Sequence, residues 1–330
     1  MVFGIDVGTT SVSGVAVDAD GCVAATASVP HEADLPRREA GVDEQDPERL
    51  LSATQEVVAQ LQRAGGRPRL VGWTGQMHGV VAVDRNLHPL TPFVTWRDAR
   101  RYGGRVMEGW LAQGLAPHKC LCAPGFACAR LLGGEPRMDP TFHESWHVDG
   151  RTIPAGWLPK VAECSMLGDN QAGVYAAQKI MPGCAVVNLG TSGQLSVVRD
   201  EASPHVGEGA ETRLFVPGKR LVCRPSLLGG QVWSALRSRL GIPWEEMNAR
   251  AESDAEIRRC ADAIVDDLFV GMDVTGVTGL VGVGNALRRN PALIGAVERR
   301  SGMRCVVPEV VEMAAYGAAL HAIDVEARRA

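Results

Sequence analysis

The chain has 330 residues, 45% of them hydrophobic and 22% charged, with a net charge of −4, a globular composition long enough for two domains with separate cores. The acidic balance and the 5% aromatic content supply neither the basic footprint nor the stacking platform of a nucleic-acid binder, and give no reason to expect an anionic membrane as partner. No apolar run reaches membrane-spanning length, residue 3 already reads as core strand so that no signal peptide is expected, and nine scattered cysteines read as reduced thiols of a cytoplasmic protein.

Residues 3–7 and 14–18 read as a hairpin closed by Gly8-Thr9-Thr10-Ser11, with a third strand over 22–29 after Asp20-Gly21. A helix follows, with Asp46 at its N-cap, Pro47 in its first turn and Gly65-Gly66 just past its end. Leu50, Leu51, Thr54, Val57, Val58 and Leu61 share one of its faces. A strand over 70–73 enters Thr74-Gly75-Gln76-Met77-His78-Gly79, and another runs through Val83. Residues 99–165, rich in glycine and proline, offer one helical run near 100–113. After Lys179 the pattern restarts, with strands over 185–189 and 193–198 around Gly190-Thr191-Ser192. Residues 279–283 then read as a strand entering Gly284-Asn285, and Asn290-Pro291 as the cap and first turn of a helix. A strand over 305–307 and a closing helix over 308–324, with small residues at Ala314, Ala315 and 317–319, complete the chain. The recurrence predicts two mixed α/β lobes, over 1–180 and 181–330, with a central cleft.

Both lobes open on a strand that runs into a Gly-Thr turn, whose N–H groups and hydroxyls can converge on an anion. Phosphoryl transfer needs such a cradle, a metal, and a carboxylate to take the acceptor's proton. Asp6, two residues before Gly8 and flanked by Ile5 and Val7, sits where a strand-end carboxylate could hold Mg2+ through water; its bland alternative is a turn cap. Asp169, between Gly168 and a helix start, reads by position as an N-cap or as a general base. Gln76-Met77-His78 is a ligand-reading cluster or a buried core segment, and Trp96-Arg97-Asp98 a sugar-facing group or a surface ion pair. His143-Glu144-Ser145-Trp146-His147 matches the H-E-x-x-H zinc pattern, but Asp139-Pro140 and Asp149-Gly150 leave only a short helix.

Together and in this order, the segments 4–11, 75–79, 96–100, 168–171, 188–196 and 284–291 resemble the FGGY family of carbohydrate kinases, within the actin-like ATPase superfamily. The likeness is nearest to its sedoheptulokinase- and xylulokinase-type members. The resemblance implies a duplicated ribonuclease H-like fold and ATP-dependent phosphorylation of a ketose or related polyol, sedoheptulose foremost. It makes Asp169 the general base and, with Asp6, the Mg2+ site. Gln76, Met77, His78, Trp96, Asp98 and Asn170 would meet the sugar. Gly8, Thr9, Thr10, Ser11, Gly190, Thr191 and Ser192 would bind ATP phosphates, with Gly284 and Asn285 beside the adenosine. The chain departs from the family in its short 99–168 region and in Val281-Gly282-Val283-Gly284, which lacks a triple glycine. A homologue that binds sugar or nucleotide without turnover is therefore the alternative. Oligomeric state is left open, a homodimer being one option.

Overall fold

The computed structural model describes residues 1–37, 39–100, 102–202 and 205–329. Two compact units emerge, Met1–Ala176 with Glu312–Ala330, and Ala177–Val311.

The first unit is built on a four-stranded sheet in the order Val23–Pro30, Ser11–Val17, Val2–Val7, Leu70–Gly75. The first three strands are antiparallel, whereas Leu70–Gly75 runs parallel to Val2–Val7, placing Asp6 opposite Thr74. Val2–Val7 is buried along nearly its whole length because a helix covers each face of the sheet. The helix Pro47–Gly65, capped by the Asp46 side chain and ended at Gly66 (φ 74°), packs Val57 and Leu61 against Gly14. Each such fully buried Val or Leu contributes roughly 1.5–3 kcal/mol. On the opposite face the helix Met313–Arg329 sits so close that a side chain at Gly4 or Gly72 would overlap the carbonyl oxygen of Ala315 or Ala318.

The second lobe therefore does not run from 181 to the C-terminus: its expected closing helix belongs to the first unit. That helix also starts at Met313 rather than 308. The Arg288 guanidinium explains the delay by donating to the carbonyls of Pro308 and Val310, each at 2.8 Å, which holds 308–310 out of helical pairing. The region 99–165 holds more than the one expected helix. Gly103–Ala112 is joined by Ala123–Leu132, the short Pro140–Ser145, and the paired strands Arg137–Met138 and Lys160–Val161.

The second unit carries a six-stranded sheet in the order Glu211–Leu214, Lys219–Ser226, Gly193–Asp200, Ala185–Leu189, Leu280–Val283, Cys305–Val306. Its core repeats the first unit's plan. Ala185–Leu189 has an antiparallel hairpin partner on one side and a parallel strand on the other, as Val2–Val7 does. Among the described residues no helix is long and apolar enough to cross a membrane.

Candidate active site

The strand ends of the first unit gather its polar groups. Beyond Val7 the chain turns at once, with Gly8 N–H donating to the Ser11 carbonyl at 3.1 Å. A pair of buried glutamines supports this turn from below. Gln76 donates to the Gly8 carbonyl (3.3 Å) and to Gln45 Oε1 (2.9 Å), and Gln45 donates to the Thr9 carbonyl (2.7 Å) and to Asp34 (2.7 Å). Trp96, 48% exposed, donates from its indole to Thr9 Oγ1 at 2.9 Å. Of the expected sugar contacts, Gln76 thus has its amide N–H groups engaged in the scaffold. Asp98 is likewise buried, accepting from Arg100 and from the Asp43 N–H at 3.0 Å. Met77 is buried as well, so the exposed indole of Trp96 and the half-buried His78 and Asn170 remain nearest to solvent.

His78 adopts φ 66°, a left-handed backbone that costs a non-glycine residue roughly 1–3 kcal/mol. The end of the helix Pro140–Ser145, with Trp146 just after it, holds it there. His78 Nδ1 lies 2.8 Å from the Ser145 carbonyl, its N–H donates to Ser145 Oγ at 3.3 Å, and Trp146 Nε1 donates to the Gly79 carbonyl at 2.9 Å.

Asp169 opens the helix Asp169–Ile180. Leu167 N–H donates to the Trp73 carbonyl at 3.0 Å, which seats this start beside the strand Leu70–Gly75. A side chain at Gly168 would meet the Met77 sulfur at 2.6 Å, so glycine lets the Asp169 turn approach Met77. Gly168 N–H also donates to Thr141 Oγ1 (3.1 Å), and the Thr141 hydroxyl donates to Asp139 (2.8 Å). Asn170 follows in the helix and donates its N–H to Asp169 Oδ1 at 2.7 Å.

The sheet register and this approach bring Asp6 and Asp169 together. Burial, then the charge of Asp169, then that of Glu312 hold the Asp6 carboxyl up at about 8. Its Oδ1 is shielded from solvent and has no hydrogen-bond partner, an orphan that a bound cation would satisfy. Glu312, just before the closing helix, was not a sequence candidate; only that helix's return to the first unit brings it here.

In the second unit Gly190-Thr191-Ser192 forms the matching turn, with Gly190 N–H donating to the Ser192 carbonyl at 3.0 Å. The start of the helix Gly230–Leu240 closes on it, Gly230 and Gln231 donating to the carbonyls of Gly190 (2.8 Å) and Thr191 (3.1 Å). A side chain at Gly229 would meet Ser192 Cα at 2.7 Å. Gly284, at φ 90°, would place a Cβ 2.7 Å from Asn188 Oδ1, so the Gly284-Asn285 bend adjoins the same turn. The pair Gly229-Gly230 is the signal that sequence reasoning passed over.

Residues 1–118 match the FGGY family of carbohydrate kinases, N-terminal domain. This stretch is an FGGY-type N-terminal domain. Over 121 residues the chain is 33% identical to a xylulose kinase of Lactococcus lactis, an alignment covering 32% of this chain and 24% of that one. Over 111 residues it is 32% identical to a gluconokinase of Bacillus subtilis, covering 33% and 20%. The chain thus spans about a quarter or less of these curated relatives. Solved structures extend the likeness of fold beyond the FGGY-type domain. A xylulose kinase from Lactobacillus acidophilus gives a TM-score of 0.81 at 16% identity over 99% of this chain and 89% of that one. A kinase from Brucella ovis gives 0.83 at 18% identity over 99% and 90%. The chain has their two-lobed, actin-like ATPase fold. The zinc alternative is corrected here. The helix ends at Ser145, His147 lies outside it at φ 50°, and no group of three His, Cys, Asp or Glu among the described residues could hold a metal.

Proposed function

We propose that this protein transfers the terminal phosphoryl group of ATP to a hydroxyl of a ketose or related polyol. The observation that carries the proposal is the convergence, within the first unit, of Asp6, the Gly8–Ser11 turn, His78 and Asp169. Xylulose and gluconate, named for the relatives, join sedoheptulose as acceptors to test. In this reading the first lobe binds the sugar and the second the nucleotide, with phosphates on Gly190, Thr191 and Ser192 and adenosine beside Gly284 and Asn285. His78 and Trp96 meet the acceptor. Gln76 and Asp98 act from behind, stiffening the turn and the loop that carries Trp96. Asp169 accepts the proton of the acceptor hydroxyl, a role whose loss costs about a hundred- to ten-thousandfold in rate. Asp6 and Asp169 would hold Mg2+, which supplies charge neutralisation at the phosphates when bound.

The Asp6 carboxyl holds a proton up to about 8, so a divalent cation must displace that proton to bind. Apparent Mg2+ affinity is therefore expected to tighten as pH rises from about 6 to about 8 and then level off. Glu312→Gln removes one of the repelling charges and should move this rise to lower pH. A Mg2+ titration at several pH values checks both.

The deciding experiment measures ADP release from Mg·ATP against xylulose, gluconate, sedoheptulose and a panel of cyclitols, with Asp169→Asn as control. Turnover with one acceptor, abolished in the variant, supports the kinase. Silence across the panel from folded protein favours a homologue that binds without turnover, a reading to which the engagement of Gln76 and Asp98 in the scaffold lends weight.

A further inference from the structure

The H-E-x-x-H segment forms no metal site among the described residues, yet its end is packed tightly against the start of the helix Gly103–Ala112. Gly103 and Gly104 permit the approach. A side chain at Gly103 would meet the Trp146 ring at 2.6 Å, and one at Gly104 would meet the Trp146 carbonyl oxygen at 2.7 Å. Gly104 N–H donates to that same carbonyl at 2.9 Å. The segment's last residue, His147, is turned into the left-handed region at φ 50°. Its ring lies 4.2 Å from that of Tyr102, tilted by 53°, and Tyr102 lies 5.6 Å from the ring of His78. Three rings thus run in series from His78 through Tyr102 to His147. His78 and Tyr102 are half-buried, and His147 is exposed. Two of the three sit on backbone conformations that side chains of this kind rarely adopt. The rings meet at tilts of 58° and 53°, so together they form a curved rather than a flat surface.

We propose that Tyr102 and His147 extend the acceptor site as an aromatic wall that selects a polyol by the C–H face of its carbon skeleton. The inference rests on the kinase reading for the location of the acceptor. The weakly acidic C–H bonds of a polyhydroxylated chain or ring lie against the electron-rich ring faces, while its hydroxyls are left to His78 and Asp169. Compact polyols that reach only His78 would gain little. Longer acceptors with a continuous C–H face would gain most, so the wall sets acceptor length rather than the chemical step.

The test is calorimetric binding of xylulose, gluconate and sedoheptulose, and separately of Mg·ATP, to wild type, Tyr102→Leu, Tyr102→Phe and His147→Ala, with turnover measured in parallel. His147 is exposed, so His147→Ala keeps the test informative even if Tyr102→Leu fails to fold. Expected are acceptor binding weakened about tenfold in Tyr102→Leu and at least about threefold in His147→Ala, recovery in Tyr102→Phe, and unaltered nucleotide binding. Unchanged acceptor affinity in both ring-deleting variants overturns the wall. So does an equal loss of nucleotide affinity, which would place the rings at the base of ATP. Wild-type protein that binds an acceptor through the wall but never phosphorylates it leaves the wall standing and removes the kinase reading. Wild type that binds none of the three removes both.

Discussion

Thr141 shows how much one hydroxyl can govern. It is buried, donates to Asp139 and accepts from Gly168 N–H, the residue before Asp169. Thr141→Val keeps the volume but removes both bonds. It is expected to lower kcat about tenfold with a smaller effect on acceptor KM, whereas Thr141→Ser retains most of the rate. Asp139 behind it is held up at about 7, chiefly by burial, while an unfolded chain releases that proton near pH ~4. The folded state therefore keeps a proton that the unfolded state has lost. Its stabilising effect is complete below about pH 4 and is lost as pH rises through about 7, at roughly 1.4 kcal/mol per pH unit. Thermal melts of wild type should fall across that window, and those of Asp139→Asn should fall less. Asp6 and His78 could be picked out as candidates because each stands beside a glycine turn at a strand end. Asp169, at a helix start, reads by position as a cap and is singled out by the family resemblance. Tyr102, His147 and Glu312 could not, because their neighbours come from distant parts of the chain and no local pattern records that.

At the scale of elements, the helix Pro47–Gly65 was legible almost to the residue, since Asp46, Pro47 and Gly66 all punctuate it. Ala123–Leu132 was not. It is buried along most of its length, so its Ala, Gly, Phe and Pro residues carry no polar face to set a period. The closing helix could be read as helix, but its start was displaced by an Arg288 clamp that leaves no trace in local sequence. Its seat on the sheet yields a sharp expectation. Gly4→Ala or Gly72→Ala forces a methyl group into a backbone carbonyl that cannot rotate away. Each should destabilise the first unit by about 1–3 kcal/mol or more, as read from urea unfolding. Gly109→Ala, which meets nothing within 4 Å on a helix, should be neutral or slightly stabilising.

For the whole molecule, two Gly-Thr turns in series were enough to suggest duplication, and the repeated strand plan bears that out in each sheet. What the linear reading missed is that the units are not consecutive. A chain cut after Val311 keeps every residue of the second unit and strips the first of one face of its sheet. Hydrogen exchange of such a truncation should show 2–7 and 70–75 losing protection while 185–189 and 280–283 keep theirs.

The same discontinuity fixes an order of events during synthesis. As the polypeptide leaves the ribosome, the first unit's sheet emerges early, yet the helix that covers Gly4 and Gly72 emerges after all of the second unit. The part made first is thus completed last. Through that interval the nascent protein carries a bare apolar sheet face, which is the surface that molecular chaperones recognise.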